Sequence, residues 1–337
     1  RRLSSAASDV YKRQEYERLF EVFAAHDIGY FFYNGGGDSQ DTTFKVSEMA
    51  KKLNFPLKCI GIPKTVDNDL PYTDCSPGFG SVAKYIATST LEAGLDVKSM
   101  AETSTKVFIL EVMGRHAGWI AAASCLAATK PGDPPHIILL PEVPFEKNKF
   151  IAQVKKTIKK QGYCVIVASE GTQTKNGKFL ADSGLRDAFG HKQLGGVAPV
   201  LAGMISKIGL KNHWAVADYL QRSARHIASQ TDLDQAYAVG EHAVKLAIAG
   251  KTALMPIIKR TNDSPYKWKI ATAPLKNVAN IEKTMPKKFI SKSGFEITQA
   301  GKTYLSPLIK GEAPIKYVNG LPDVAELKKV KVEKKLN

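Results

Sequence analysis

The sequence has few cysteines and no long hydrophobic run. Its four cysteines show no C-x-x-C spacing, which argues against a disulfide scaffold or a zinc site and fits a reducing, cytoplasmic compartment. No apolar run approaches the roughly 18–20 residues that a membrane-spanning helix needs, so we expect no membrane association. Hydrophobic residues make up 44% and charged residues 24% of the chain, a globular composition that excludes a disordered protein.

Acidic residues are also scarce relative to basic ones. The 32 Asp and Glu against 48 Lys and Arg leave a net charge of +16 among 337 residues. Such an excess is typical either of a nucleic-acid-binding protein or of a basic surface that attracts small anions. The lysines concentrate at 155–160 and 328–335 without the interleaved aromatic residues that would stack on bases. We therefore favour small anionic ligands and expect no nucleic-acid partner.

The first 14 residues differ in character from the rest of the chain. Residues 1–8 are rich in Arg and Ser and contain no acidic residue, a composition that an organelle transit peptide would share. Residues 9–14 can be read back as the codons of a transposase adapter used in DNA sequencing. We expect residues 1–14 to be a non-native, adapter-derived segment and the N-terminal part of the first domain to be missing.

From Glu15 onward, helices and strands are predicted to alternate. Short apolar runs predict strands at 28–33, 56–62, 105–112, 136–140 and 164–168. Helical spacing and turn signals predict helices at 42–52, 80–92 and 232–249. Apolar strands that alternate with helices are typical of parallel, doubly wound α/β sheets, in which ligands bind beyond the carboxyl ends of the strands. The main motifs follow predicted strands.

A glycine-rich turn, running from Asn34 to Ser39, follows the first predicted strand and precedes a helix. Its three glycines allow backbone N–H groups to approach an anion, and a helix N-terminus adds its dipole. A plain flexible turn has the same composition. Asp38 is unusual in such a turn because a carboxylate repels phosphate, and it indicates either a metal ligand or the exclusion of an unwanted phosphate.

A second motif, Pro-Lys-Thr-Val-Asp-Asn-Asp from Pro63 to Asp69, ends another predicted strand. One carboxylate could accept a proton from an attacking hydroxyl, and the other could hold Mg²⁺ or orient the first. The Lys64 ammonium could neutralise charge on a transferred group. An Asx-rich turn uses the same residue types, so the residues alone leave phosphoryl transfer and a structural turn equally open.

Three further groups of polar residues lie later in the chain. Arg115, after the strand predicted at 105–112, could bind a sugar phosphate through two parallel hydrogen bonds from its guanidinium. A surface salt bridge is the alternative. Glu170 ends the strand at 164–168, where a solvated loop acid is the alternative. The stretch from Tyr219 to Arg222, followed by Arg225, offers further cationic groups for a phosphate.

Together and in this order, the motifs resemble the 6-phosphofructokinase family, from Glu15 to about Lys251 and more loosely beyond. The resemblance implies an α/β fold of two doubly wound, Rossmann-like lobes with the active site between them. Residues 15–80 and about 221–275 would form an incomplete phosphoryl-donor-binding lobe. Residues from about 81 to 220 and from 276 to 337 would form the sugar-phosphate-binding lobe. A cytoplasmic homodimer or homotetramer is also implied.

The resemblance assigns roles to the matching residues. Asp67 would take the proton from the 1-hydroxyl of fructose 6-phosphate, and the implied catalytic set is Asp67, Lys64, Asp38, Thr65 and Asp69. The implied sugar-phosphate contacts are Thr65, Val66, Asp67, Met113, Gly114, Arg115, Glu170, Tyr219, Leu220, Gln221 and Arg222. Lys106 matches a position where a basic residue reaches in from a neighbouring subunit. The implied donor-phosphate contacts are Gly35, Gly36, Gly37, Ser39 and Lys64.

Two charged residues bear on the phosphoryl donor. In ATP-using members of the family the positions that match Asp38 and Lys64 are glycine, whereas both are charged in the pyrophosphate-using branch. Asp38 would occupy and repel the α-phosphate of a nucleotide, and Lys64 would stabilise the leaving group of pyrophosphate. The implied reaction is reversible phosphoryl transfer from diphosphate to fructose 6-phosphate, giving fructose 1,6-bisphosphate and phosphate in glycolysis and gluconeogenesis.

The resemblance implies Mg²⁺ as cofactor and diphosphate as co-substrate. The family commonly carries an acidic Mg²⁺ ligand at the position of Gly37, so Asp38 or Asp69 would take over that role here. The second glycine-rich turn, which the family places near its N-terminus and uses for the donor, is not present in this sequence.

The alternatives are an ATP-dependent 6-phosphofructokinase and a catalytically inactive, truncated family member. The intact Lys64–Asp69 motif argues against a family member that has lost its chemistry and kept only binding, whereas inactivity through the missing N-terminal part stays open. Initial rates with ATP and with pyrophosphate would separate the two phosphoryl donors. A dinucleotide-dependent dehydrogenase is disfavoured because the sequence lacks a G-x-G-x-x-G fingerprint with an acid about 20 residues further on.

Overall fold

The computed structural model describes residues 15–186, 192–194 and 196–336, so the segment 1–14 lies outside the described residues. Its strands are β1 (Tyr30–Gly35), β2 (Lys58–Pro63), β3 (Val107–Val112), β4 (Ile137–Leu139), β5 (Cys164–Ser169), β6 (Asp182–Arg186), β7 (Lys192–Leu194), β8 (Asn212–Val216), β9 (Leu254–Asp263), β10 (Tyr266–Pro274), β11 (Tyr317–Val318) and β12 (Leu321–Pro322). Its helices are α1 (residues 15–25), α2 (Gly37–Lys52), α3 (Phe79–Met100), α4 (Trp119–Ala123), α5 (Lys147–Gln161), α6 (Val197–Ser206), α7 (Leu220–Ser223), α8 (Gln230–Ile248) and α9 (Gln299–Leu305).

Two four-stranded sheets form the framework. The first has the order β1-β2-β9-β10, in which β1, β2 and β9 are parallel and β10 is antiparallel. The second has the order β4-β5-β3-β8 and is parallel throughout. The α/β class with parallel sheets, predicted from the alternation of helices and strands, is confirmed.

The five strands predicted from apolar runs all form close to their predicted bounds, but two helices differ. Helix α2 begins at Gly37 rather than at residue 42, so Asp38 and Ser39 lie in its first turn instead of in a preceding turn. An acidic residue is favourable there because the N-terminal end of a helix dipole is positive. Helix α3 continues beyond the predicted end at residue 92 to Met100. Gly94 lies within it and serves close packing, because a side chain there would overlap Pro134.

The hairpin of β9 and β10 was not predicted. Its outer half carries alternating charged residues such as Lys267 and Lys269, and only part of each strand is buried. The inner half of β9, residues 254–258, is an apolar and mostly buried run, but Pro256 interrupts it, and proline within a run argues against a strand. The strand β10 alternates in exposure and has no continuous apolar run.

The largest apolar cluster joins the two sheets. It contains Phe79 of α3, Val112 of β3, Trp119 of α4 and Ile258 of β9, together with Leu308 from the C-terminal stretch. Burial of each large apolar side chain contributes about 1.5–3 kcal/mol. Because the carboxyl ends of β2 and β3 lie beside this shared core, the loops that follow them are held at fixed positions relative to each other.

All four cysteines are buried free thiols. Burial raises the pKa of Cys59 and of Cys125 to about 12, so little reactive thiolate forms at neutral pH. In the ranges that the structure describes, no helix has both the length and the apolar character needed to cross a membrane.

Candidate active site

The glycine-rich turn and the Lys64 motif lie side by side because β1 and β2 are adjacent parallel strands. Gly35 pairs with Pro63 at the end of the ladder, and the Lys64 N–H donates to the Gly35 carbonyl at 3.1 Å. A Cβ added to Gly36 would lie only 3.7 Å from the Thr65 Cβ. The structure therefore brings the two motifs into contact at one edge of the sheet.

Gln40 sets the spacing between these two strand ends. Its Nε2 donates to the carbonyls of Gly35 at 2.9 Å and Ile62 at 3.1 Å, and the residue is buried. A Cβ on Gly61 would overlap the Gln40 Oε1. Sequence reasoning missed Gln40, because a polar residue within a helix gives no local sign that it faces the sheet.

The glycines of the turn have different structural requirements. A Cβ on Gly35 would overlap the Ser39 hydroxyl, whereas Gly37 has open space around its Cβ position. Asp38 is exposed in the first turn of α2. Close packing therefore explains Gly35, while Gly37 and Asp38 lie at an accessible helix N-terminus, where an anionic ligand could approach the backbone.

Asp67 and Asp69 form the acidic centre of the second motif. The Asp67 N–H donates to the Thr65 Oγ1 at 3.2 Å, and that hydroxyl donates to the Asp67 carboxylate at 3.3 Å. Burial raises the pKa of Asp67 despite the Thr65 hydrogen bond and the nearby Arg115 charge. Burial and the Asp67 charge raise the pKa of Asp69 to about 6. A carboxylate with a raised pKa is the stronger proton acceptor.

Asn68, between the two acids, makes the turn that holds them. Its φ is +55°, a left-handed conformation that Asn tolerates better than most residues. Its Oδ1 accepts from the Ser76 N–H at 3.0 Å and its Nδ2 donates to the Tyr304 hydroxyl at 3.0 Å. The motif is thus an ordered turn, in which Asn68 is tied to Ser76 and Tyr304, and that turn presents the two carboxylates.

The sugar-phosphate candidates gather at the ends of β3 and β5, which pair in parallel from Val107–Cys164 to Val112–Ser169. Gly114 has φ +125°, its N–H donates to the Glu170 Oε1 at 3.2 Å, and its carbonyl accepts from the Ser169 hydroxyl. Burial raises the pKa of Glu170, and the Arg115 charge moderates it as it moderates that of Asp67. The positive charge of Arg115 therefore stabilises the ionised forms of both Asp67 and Glu170.

A cleft of about 650 Å³ opens beside Asp67. Lys64 and Thr65 line it, as do Arg222 and Arg225 of the segment after β8. One cavity therefore holds Lys64, a predicted donor residue, and Arg222, a predicted sugar-phosphate residue, together with Arg225, the further cation named from the sequence. A volume of this size is typical of small-molecule sites.

The predicted stretch from Tyr219 to Arg222 divides into different environments. Gln221 is buried and its Oε1 accepts from the Met113 N–H at 3.4 Å, which links the stretch to β3. The Arg222 guanidinium lies 4.0 Å from the Tyr219 ring centroid. Tyr219 and Leu220 are themselves 62% and 65% exposed and lie outside the cleft lining, so Arg222 is the member of the stretch best placed to meet an anion.

Lys106 lies at the amino end of β3, opposite to the end that carries Met113. Its Nζ donates to the Ala101 carbonyl at the end of α3. The structure therefore does not bring Lys106 to the cleft of its own subunit, and a role in a neighbouring subunit stays a prediction.

Few of the described side chains near the cleft could serve as ligands of a metal ion. Across residues 15–186, 192–194 and 196–336, no group of three or more His, Cys, Asp and Glu is placed to hold a metal. The Asp69 Oδ1 is nevertheless buried without a hydrogen-bond partner within those same ranges. An unsatisfied carboxylate oxygen beside Asp67 fits Mg²⁺ that takes one or two protein carboxylates and completes its shell with phosphate oxygens and water.

A family model described as phosphofructokinase matches residues 2–247 of the sequence. The chain belongs to the phosphofructokinase family. The resemblance inferred from the sequence motifs is therefore confirmed, and the cleft between Asp67 and Arg222 is the candidate active site of a phosphofructokinase.

Individual relatives of this phosphofructokinase cover nearly all of the chain. A pyrophosphate–fructose 6-phosphate 1-phosphotransferase from Halomonas elongata is 64% identical over 96% of this chain and 78% of its own length. The enzyme of the same name from Xanthomonas campestris pv. campestris is 57% identical with the same coverage. The crystal structure of a pyrophosphate-dependent phosphofructokinase from Nitrosospira multiformis is 58% identical, with a TM-score of 0.90 over 96% of this chain and 78% of that one.

Gly171 is required for the approach of β5 to the Arg115 loop. A Cβ there would overlap the Arg115 carbonyl oxygen. We expect Gly171→Ala to destabilise the protein by about 1–3 kcal/mol through overpacking, measured by urea unfolding. Gly203→Ala is the control, because open space surrounds this glycine of α6 and alanine favours a helix by about 0.5–1 kcal/mol. Equal stability changes for the two variants would contradict the analysis.

Proposed function

We propose that the protein transfers a phosphoryl group reversibly from pyrophosphate to the 1-hydroxyl of fructose 6-phosphate. The observation that carries the proposal is a proton-accepting Asp67 in the same cleft as the cations Lys64, Arg222 and Arg225. Relatives at 57–64% identity carry the corresponding enzyme name, which supports the same choice of substrates.

Asp67 acts on the acceptor. Its carboxylate removes the proton from the 1-hydroxyl while the Thr65 hydroxyl fixes its orientation. The hydroxyl oxygen then forms a bond to the terminal phosphorus of pyrophosphate, the bond from that phosphorus to the bridging oxygen breaks, and inorganic phosphate leaves. In the reverse direction protonated Asp67 returns its proton to the sugar oxygen.

The cations hold the two anionic substrates. Arg222 and Arg225 line the cleft and suit the 6-phosphate of the sugar. Arg115 and Glu170, at the ends of β3 and β5, would hold the phosphate and a hydroxyl of the sugar. The spacing of these groups positions the 1-hydroxyl at Asp67, and such positioning supplies much of the catalysis of phosphoryl transfer.

Lys64 and Asp38 select the donor. Lys64 is exposed in the cleft and neutralises charge on the departing phosphate. Asp38, at the start of α2, repels the additional phosphate of a nucleotide. Mg²⁺, held by Asp69 and the diphosphate oxygens, would neutralise charge on the transferred group when bound.

The proposal includes a cytoplasmic homodimer or homotetramer. Lys106 is directed to the end of α3 in its own subunit. If it contacts the sugar phosphate, it does so in a second copy of the chain.

Donor choice is tested by removing the two charges. We expect Asp38→Gly with Lys64→Gly to lower kcat/KM for pyrophosphate by about 100-fold or more, since loss of one stabilising charge costs that much, and to create measurable activity with ATP. Initial rates with both donors are the measurement. Asp41→Ala, at a residue of α2 paired with Lys45, is the control and should keep the parental preference.

A parent enzyme that uses ATP and ignores pyrophosphate would overturn the proposed donor. If the double variant keeps the parental rate with pyrophosphate, Asp38 and Lys64 have no role in selecting the donor.

The proton acceptor is tested by Asp67→Ser. We expect kcat to fall by about 10²–10⁴-fold, the usual contribution of a general base, while fructose 6-phosphate still binds through the cations Arg222 and Arg225 that line the cleft. Turnover and calorimetric binding measure the two effects. Asp234→Ser, an exposed acid on α8, is the control, and near-parental turnover in Asp67→Ser would exclude this residue as the base.

The pH dependence follows from the raised pKa values. Asp67 must be ionised to accept a proton, so activity is lost as the pH falls through the pKa of the acidic pair. Because burial raises the pKa of Asp67 above its ordinary value of 3.8, we expect kcat/KM to decline already at a pH above the ordinary range of an aspartate. If kcat/KM declines only near the ordinary pKa of an aspartate, the pKa of the proton acceptor is not raised by burial.

A further inference from the structure

We propose that Lys283 is a positioning residue, which holds the Asp67–Asp69 turn in register with the Arg115 loop. It lies in the stretch between β10 and α9, far along the chain from both loops. The inference rests on the proposed function in one respect, because its turnover measurements assume that the protein transfers a phosphoryl group from pyrophosphate to fructose 6-phosphate.

The Lys283 ammonium lies beneath the Asn68 turn. Its Nζ donates to the carbonyls of Asp74 at 2.9 Å and Thr73 at 3.0 Å and to the Asn68 Oδ1 at 3.3 Å. An ammonium has three donors, and all three have acceptors here. Two of the acceptors belong to the backbone that follows the Asp67–Asp69 turn, and the third is the side chain at its centre.

The Lys283 backbone contacts both loops as well. Its N–H donates to the Asp69 carbonyl at 2.5 Å, and its carbonyl accepts from the Trp119 Nε1 at 3.1 Å. The ammonium also lies 5.3 Å from the Trp119 ring centroid, within cation–π range. Trp119 begins α4, four residues after Arg115. Lys283 therefore bridges the end of β2 and the segment that follows β3.

The far side of the Asn68 turn is braced independently of Lys283. The Tyr304 hydroxyl accepts from Asn68 and donates to the Asp74 carbonyl at 2.6 Å, and Arg260 donates to both Asp74 carboxylate oxygens. These contacts support the base of the loop without the ammonium. The Lys283 N–H that donates to Asp69 also remains when the side chain is replaced. Loss of the ammonium, which ties Asn68 to the Thr73 and Asp74 carbonyls, should therefore loosen the turn that presents the two carboxylates more than it unfolds the loop.

If Lys283 had only a structural role, its replacement would lower turnover no more than the loss of stability explains. Enclosing an ammonium costs free energy that carbonyl acceptors only partly return, so an apolar replacement need not destabilise the fold severely. Misplacement of a reacting group by about 1 Å, in contrast, can cost about 100-fold in rate. Turnover and stability therefore respond differently to the change.

The test compares Lys283→Met with Tyr266→Phe. Tyr266 contacts Asp74 and Gln235 in the same buried network but has no contact with the Asp67–Asp69 turn. For Lys283→Met we expect kcat to fall by about 30- to 100-fold while KM for either substrate changes by less than about threefold. Tyr266→Phe should lower the unfolding temperature with kcat within about twofold of the parent.

Lys283→Gln is the second variant, because its amide keeps two donors and is the safer choice if the Met variant does not fold. We expect its kcat to be at least about fivefold below the parent. A folded Met or Gln variant with kcat within about twofold of the parent overturns the proposal. So does an equal loss of kcat in Tyr266→Phe at a matched change in unfolding temperature.

Hydrogen exchange provides a readout that needs no turnover. Lys283→Met should speed exchange in peptides covering residues 65–76 by about tenfold or more, with peptides of β5 unchanged. Unchanged exchange at 65–76 overturns the proposal even if the parent shows no transfer from pyrophosphate, an outcome that would refute the proposed function separately.

Discussion

The site depends on keeping two neighbouring carboxylates, Asp67 and Asp69, close together in a partly buried loop. Burial raises the pKa of both, and the charge of Asp67 raises that of Asp69 further. Ionising both acids is therefore unfavourable unless cations or hydrogen-bond donors are near. Lys64 and Arg115 supply those charges from two different strand ends. The raised pKa makes the Asp67 carboxylate a stronger proton acceptor than that of an exposed aspartate.

Close backbone approach brings the charges within range of the acids. Gly171 lets β5 contact the carbonyl of Arg115, and Gly114 adopts a positive φ that turns its N–H towards Glu170. In the other sheet Gln40 joins the ends of β1 and β2 across the space that Gly61 leaves open. Three glycine-dependent contacts, two beside β3 and β5 and one in the other sheet, therefore help to set the positions of the acids and the cations.

The distribution of charge suits two anionic substrates. The chain carries a net charge of +16, which attracts phosphates over long range, yet the cleft itself combines Lys64, Arg222 and Arg225 with Asp67. In the proposed reaction the cations hold the phosphates and Asp67 acts on the hydroxyl. Asp38 is not part of the cleft lining and lies in the exposed first turn of α2.

The amino-acid sequence determined five strands of the parallel sheets and the chemistry of each motif, because apolar runs and contiguous polar residues are local properties. It left β8 undetected, as well as the hairpin of β9 and β10, in which Pro256 interrupts the apolar run of β9 and β10 alternates in exposure. Only the tertiary structure decided that Gln40 spaces two strand ends and that Lys283 contacts Asn68, 215 residues away in sequence. Such contacts arise when the sheets pack on their shared core, and no pattern within a short stretch of chain encodes them.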